Sequence, residues 1–280
     1  MRTLVQFSDT HVLAEGQLLH DRVDTFANLE AATTSVAASG AAIDALILSG
    51  DLTDSGDPVA YARLRALVEP LAADLGARVV YAMGNHDERR AFRSALLDEP
   101  EPRPEPCDEV HWLDDLRIVV LDSTTPGRHD GRLDPAQLEW LTAELSAPAP
   151  AGTVLVVHHP PIPSPVPAVE LLTLRGRDAL ADVVRGTDVR IILSGHAHHT
   201  SAGTLAGVPV WIAPATAYAI DTLPPAGRAR GVGLGAYTRI DIHPDTVVAT
   251  AIGLPGAPAV YDEDEQEMLR MVRSVVEQPE

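Results

Sequence analysis

The sequence contains no lysine; all 21 of its basic residues are arginine. Without an amine side chain there is no Schiff-base nucleophile, and no lysine of the Walker type to hold a nucleotide phosphate. It has a single cysteine, Cys107, so no internal disulfide can form, which fits a reducing cytosol. That thiol lies in an acidic stretch with no activating base beside it and is expected to be inert. Long apolar runs are missing too. None approaches the ~18 residues that suggest a membrane span, and strand-like sequence from Arg2 leaves no room for a signal peptide. The expected location is cytoplasmic. Positive charge is scarce: 40 acidic residues against 21 basic give a net charge of −19, with no basic stripe to attract a nucleic-acid polymer. A small anionic substrate remains compatible with such a chain if bound metal supplies the local positive charge.

What the sequence does contain is a repeated grammar, an apolar run ending in metal-type ligands. The run through Val79-Val80-Tyr81-Ala82-Met83 reads as a short buried strand and passes into Gly84-Asn85-His86-Asp87. Leu4 to Ser8 ends in Asp9-Thr10-His11, and Ala45 to Ser49 ends in Gly50-Asp51. Thr153 to Val157 ends in His158-His159-Pro160-Pro161, and Val189 to Ser194 in Gly195-His196-Ala197-His198-His199. Between these runs the spacing predicts helices over 22–39, 58–74 and 176–185, another reaching Leu97, and one capped by Asp134-Pro135. Antiparallel pairs are expected at 110–113 with 117–121, within 203–213, and at 235–242 with 246–252. The proline-rich stretch 98–106 reads as a surface loop, and 221–235, rich in Gly, Arg and Pro, as a mobile one. No internal repeat or domain boundary is evident. Residues 1–254 read as one domain and 255–280 as an acidic, partly helical tail.

The strand ends collect Asp9, His11, Asp51, Asn85, His86, His158, His196 and His198. In α/β sheets the C-terminal strand ends meet at one edge, where sites form. All the ligand atoms offered are nitrogen or oxygen, suited to first-row divalent ions. If one carboxylate is shared, six further residues supply three ligands to each of two ions, a dinuclear site with metals about 3.5–4 Å apart. Asp51 is the bridging candidate. Each residue taken singly is also an ordinary turn residue, but five such strand ends in succession, two of them rich in histidine, favour a site. His20, His111, His129 and His243 lack ligand neighbours and read as surface residues, whereas His159 and His199 flank candidate ligands and are candidates to support them.

These motifs, Asp9-x-His11, Gly50-Asp51, Gly84-Asn85-His86-Asp87, His158 and Gly195-His196-x-His198, resemble those of the calcineurin-like metallophosphoesterases. The resemblance extends to the class III cyclic nucleotide phosphodiesterases through Leu67-Val68-Glu69-Pro70, the run from His158 to Ser164, and Arg185 to Arg190. It reaches about Val248 and leaves the tail unmatched. It implies an α/β fold, a four-layer α/β/β/α sandwich of two mixed β-sheets flanked by helices, often as a homodimer. One ion would be held by Asp9, His11, Asp51 and His198, the other by Asp51, Asn85, His158 and His196. Mn²⁺ with Fe or a second Mn²⁺ is the usual filling, and Zn²⁺ would suit the same ligands. The implied reaction is hydrolysis of a 3′,5′-cyclic nucleotide such as cAMP to the 5′-nucleotide, by in-line attack of a metal-bridging hydroxide. His86 would protonate the departing alkoxide, with Asp87 orienting it and Asp54 orienting a ligand histidine. Asn85, His86 and His198 would also reach the substrate. A glycerophosphodiester or other phosphodiester, a phosphomonoester, and a non-catalytic scaffold of the same fold stay open. A scaffold should show gaps in the ligand set or lack the histidine after Asn85, and neither applies here.

Overall fold

The computed structural model describes residues 1–276 except 102 and 257; the last four residues of the expected tail lie outside the described residues. The chain runs β1 (Arg2–Phe7), α1 (Thr25–Ala38), β2 (Ala45–Ser49), α2 (Pro58–Leu75), β3 (Arg78–Ala82) and α3 (Arg89–Leu96). The hairpin of β4 (Glu109–Leu113) and β5 (Leu116–Leu121) follows, then β6 (Gly131–Arg132), α4 (Pro135–Glu144) and β7 (Thr153–Val157). Next come α5 (Pro167–Glu170), β8 (Leu174–Arg175), α6 (Arg177–Val184) and β9 (Val189–Ser194). The remainder is β10 (Ser201–Leu205), β11 (Val208–Ile212), β12 (Ala219–Ile220), β13 (Gly231–Val232), β14 (Ala236–Ile242), β15 (Val247–Gly253) and α7 (Glu265–Val276).

Two mixed sheets face each other. One has the order β15-β14-β1-β2-β3 and the other β10-β11-β9-β7-β5-β4. In each, the strands that carry site motifs are parallel, and antiparallel strands occupy outer positions. Strands covered on both faces must be apolar at every position, which is why Ala-Leu-Ile-Leu-Ser of β2 and Thr-Val-Leu-Val-Val of β7 are buried throughout. Alternate residues serve different cores. Ile47, Val80, Val154, Val156 and Leu193 fill the space between the sheets. Leu46 and Leu48 face Leu29, Tyr61 and Leu64 of α1 and α2. Leu155 and Val157 face Leu141, Leu180 and Val184 of α4 and α6. Three cores between four layers confirm the expected α/β/β/α sandwich.

The expected Asp134 cap is present, and Asp57 caps α2 as well. Asp57 accepts from Val59 N at 2.8 Å ahead of Pro58, and Asp134 forms a capping box with Gln137. The segment 221–235 is less free than its composition implied. β12 and β13 pair across it, and Arg230 is ion-paired to Asp221. α7 buries none of its residues.

The registers align the ends that matter. Phe7 of β1 pairs with Leu48 of β2, and Leu48 with Tyr81 of β3. In the second sheet Val156 of β7 pairs with Leu193 of β9. Buried polar links fasten the two edges together. Gln6 Nε2 donates to Ser49 Oγ at 2.8 Å and to the Ser194 carbonyl at 3.2 Å. His158 Nδ1 donates to the Ser49 carbonyl at 2.8 Å.

Candidate dinuclear metal site

The ends of β1, β2 and β9 turn sharply where they deliver their ligands. Asp9, His11, Asp51, His196 and His198 all have positive φ, between 42° and 66°. For L residues that conformation costs about 1–2 kcal/mol each, and such strain concentrates at functional sites. Backbone bonds hold it: Asp9 N donates to Gly50 O at 3.0 Å, His11 N to Asp51 O at 2.9 Å, and Ile220 N to His198 O at 2.7 Å. Two glycines give the clearance. A Cβ on Gly84 would stand 2.2 Å from Asp51 N and Oδ1, and one on Gly195 would stand 2.0 Å from Ser8 Oγ.

The side chains form overlapping groups: Asp9, His11 and His198 lie together, as do Asp9, Asp51 and His158, while His196 lies with His158 and His159, and Asp54 and His86 with His11. Their tautomers follow from their outer partners. His11 Nδ1 donates to Asp54 Oδ1 at 3.1 Å, and His198 Nδ1 to the Tyr218 carbonyl at 3.1 Å. Both Nε2 atoms are then bare lone pairs, and they face each other at 3.1 Å. His158, held through its Nδ1, points Nε2 at Asp51 Oδ2 across 3.3 Å, while His11 Nε2 is 3.7 Å from that same oxygen. The facing Nε2 atoms of His11 and His198 repel in a buried site unless a proton or a cation lies between them. Asn85 Oδ1, His158 Nε2 and both ring nitrogens of His196 are buried without any hydrogen-bond partner. Unpaired buried polar atoms are costly, and here they belong to three residues of one expected ligand set. The donors fit divalent ions.

The charge balance agrees. Burial pushes the Asp51 carboxyl up, but His158, His11 and His86 outweigh it and hold it well below the ordinary carboxylate range. Burial lowers the affinity of His158 for a proton, yet Asp51 and Asp9 raise it to about 9. His196 is pushed down to about 3 by burial and by His158, and His198 is driven well down by burial and His11. The carboxylates draw protons onto His158 and His11, while His196 and His198 resist protonation; a buried site so avid for positive charge suits metal cations.

Asn85 and His86 line an adjoining cavity of about 230 Å³ with Leu172, Tyr218 and Ile220 on its apolar side. His86 Nδ1 donates to the Asp54 carbonyl at 2.8 Å. This corrects the expected role of Asp87. Its carboxylate turns inward, accepting from Gly84 N at 2.9 Å, Leu52 N at 3.1 Å, Thr53 N at 3.2 Å and Tyr61 Oη at 2.8 Å. Asp87 therefore pins the backbone of two ligand-bearing loops, and Asp54 orients both His11 and His86.

Other expectations also shift. His129, read as a bare surface residue, lies with Nδ1 3.1 Å from Asn85 Nδ2 and its ring centroid 5.8 Å from that of His86. Ser123 shares a 2.8 Å hydrogen bond with His159 Nδ1. His159 packs on His196 at 4.6 Å, whereas His199 turns away to Ser164 and Ser201. His20 meets Tyr218 edge-on at the rim. His20 and His129 lie at no strand end bearing ligands, so strand grammar carried no signal for them.

The calcineurin-like phosphoesterase profile matches residues 2–200. The chain belongs to the calcineurin-like phosphoesterase family. This metallophosphoesterase family uses a dinuclear metal site, and the chain carries His and Asp groups able to bind metal. It is 46% identical over 252 residues to a probable cyclic nucleotide phosphodiesterase of Rhodococcus erythropolis, covering 90% of this chain and 83% of that one. It is 45% identical over 258 residues to a cAMP/cGMP dual specificity phosphodiesterase of Mycobacterium tuberculosis, covering 92% and 81% respectively. Among solved structures, a dimetal phosphatase from Danio rerio superposes with a TM-score of 0.61 at 15% identity, covering 90% of this chain and 96% of that one. At that identity the likeness speaks for the metallophosphoesterase fold alone.

Proposed function

We propose that this chain is a metal-dependent phosphodiesterase that hydrolyses 3′,5′-cyclic nucleotides, cAMP among them, to 5′-nucleotides. The observation that carries the proposal is the convergence of bare lone pairs. His11 Nε2 faces His198 Nε2, and His158 Nε2 faces Asp51 Oδ2, with Asn85 Oδ1 and the His196 ring unpaired beside them. Asp9, His11, Asp51 and His198 would hold one ion, and Asp51, Asn85, His158 and His196 the other. The nitrogen and oxygen donors support Mn²⁺, Fe or Zn²⁺. When bound, the ions supply positive charge for the phosphoryl oxygens and an acidified water at neutral pH.

The chain's own residues supply the rest. Asp51 Oδ2, 3.3 Å from His158 Nε2 and 3.7 Å from His11 Nε2, stands between the two sets and is the shared carboxylate. His86, fixed through Nδ1, has Nε2 free, and in its imidazolium form would pass the Nε2 proton to the departing alkoxide. Asn85, His86 and His198 border the cavity and would meet the phosphate, while Leu172 and Ile220 offer apolar surface to the nucleoside. The cyclic nucleotide is favoured by the names of the relatives and by the motif resemblance beyond the metal ligands. A cytoplasmic location is supported by the single, buried cysteine, and a homodimer by the resemblance.

A panel of cAMP, cGMP, a glycerophosphodiester and p-nitrophenyl phosphate, offered to metal-quantified protein with product identification, tests the proposal. Cyclic nucleotides should have the highest kcat/KM and yield 5′-nucleotides. Preference for the linear diester or the monoester would overturn the substrate class. No turnover of any substrate by fully metallated protein would favour the scaffold.

A further inference from the structure

The Asn85 amide can be built in two orientations of nearly equal shape, and only one is useful to a cation. With the oxygen inward it offers lone pairs; with the nitrogen inward it offers two positive hydrogens. What decides between them is the partner available to the amide nitrogen. Among the described residues that partner is His129, whose Nδ1 lies 3.1 Å from Asn85 Nδ2, while Asn85 Oδ1 is buried and unpartnered. An amide nitrogen has only protons to give, so His129 Nδ1 accepts and its proton resides on Nε2.

The segment that carries His129 is anchored although its ring is exposed. Asp130 is buried and ion-paired to Arg128 at 2.6 Å and to Arg175. Gly131 pairs with Leu174 and packs so closely on His159 that a Cβ there would stand 2.4 Å from the ring. The loop therefore presents Nδ1 from a fixed position, as a partner that orients a ligand must be.

We propose that His129 is a positioning residue for Asn85, accepting a hydrogen bond from its amide nitrogen and thereby turning the amide oxygen toward the ion position it shares with His158 and His196. This rests on the dinuclear reading above. It assigns a role in metal affinity to a residue 44 positions from its target, in a turn sequence that resembles no ligand motif.

The test titrates metal-free protein with Mn²⁺ alone, so no turnover is required. His129→Ala should keep the wild-type melting temperature in the metal-free form, because the ring is exposed. It should lose about 10–100-fold in affinity for one of two ions, as removal of a ligand's outer partner typically does. Two isosteres sharpen the result. His129→Asn puts an amide oxygen where Nδ1 was and should restore most of the affinity. His129→Gln reaches the Nε2 position and should not. Wild-type affinity at both sites in His129→Ala would overturn the proposal, as would equal weakening of both. Rescue by Gln but not by Asn would instead make Nε2 the working atom and also overturn it. Asn85→Ala is the control. If it leaves both affinities unchanged, the dinuclear ligand assignment itself fails; if it weakens one while His129→Ala weakens neither, only the positioning role fails.

Discussion

His86 donates its Nδ1 proton to the Asp54 carbonyl, which leaves Nε2 as the nitrogen available to a substrate. A positioned acid matters most when the leaving group is poor. A ribose 3′-alkoxide needs the proton, whereas a nitrophenolate departs adequately without it. His86→Ala should therefore keep its metal and lose about 10²–10⁴-fold in kcat/KM toward a cyclic nucleotide. It should lose much less toward bis-p-nitrophenyl phosphate, and equal losses in fully metallated protein would defeat the acid role. Asp51 makes a different demand on the same cluster, since one of its oxygens faces His158 and also lies within reach of His11. Asp51→Asn should lower occupancy at both ion positions, read by elemental analysis after dialysis. Two ions per chain retained in that variant would remove Asp51 from the shared position.

The joint between β4, β5 and α4 is tied by a half-buried carboxylate. Asp108 accepts from Asp122 N at 2.8 Å and from Gln137 Nε2 at 2.8 and 3.0 Å. Burial pushes its carboxyl up to about 6 despite those donors. A carboxyl raised on folding binds its proton more tightly in the native state. Its stabilising contribution is thus present below about pH 4, the unfolded value, and is lost as pH rises through the folded one. A shift of this size is worth about 2–3 kcal/mol. Asp108→Asn removes the titration, so its stability relative to wild type should improve by that order between about pH 4 and 6. Urea denaturation of both proteins across that window checks the sign, and a constant difference would refute it. The neighbouring Cys107 thiol, pushed by burial to about 12, should resist alkylation in the native protein at pH 8.

At the scale of the whole molecule, the sandwich closes its cores without the tail. α7 exposes Leu269, Val272, Val275 and Val276, and among the described residues no metal-ligand group includes a residue beyond Val248. We propose that 1–254 is the catalytic domain. Truncation after Tyr261 should leave kcat/KM within about twofold and the melting temperature nearly unchanged, since surface changes seldom exceed about 0.5 kcal/mol. A folded but inactive truncation would assign the tail a part in the site. A folded, active truncation with an altered sedimentation coefficient would place it at a subunit contact.

The sequence by itself determined which strands are buried and which residues stand at their ends, because both are local properties. An apolar run followed at once by Asp9, Asp51, Asn85, His158 or His196 is legible within about ten residues, and so are the Asp57-Pro58 and Asp134-Pro135 caps. Only the tertiary structure decided where the neighbouring side chains turn. Asp87 follows His86 in the chain, yet it faces Tyr61 and the Leu52–Thr53 backbone, because the Gly84–Asp87 turn points successive residues to opposite sides. Asp54 takes the orienting role instead, its carbonyl accepting from His86 Nδ1 32 residues away. His129 reaches Asn85 and Ser123 reaches His159 across 44 and 36 residues, and nothing periodic marks either pair. Ser123 and His159 meet because β5 and β7 pair in parallel with Leu121 beside Val157, whereas His129 and Asn85 meet through the docking of one sheet on the other, which no pattern along the chain encodes.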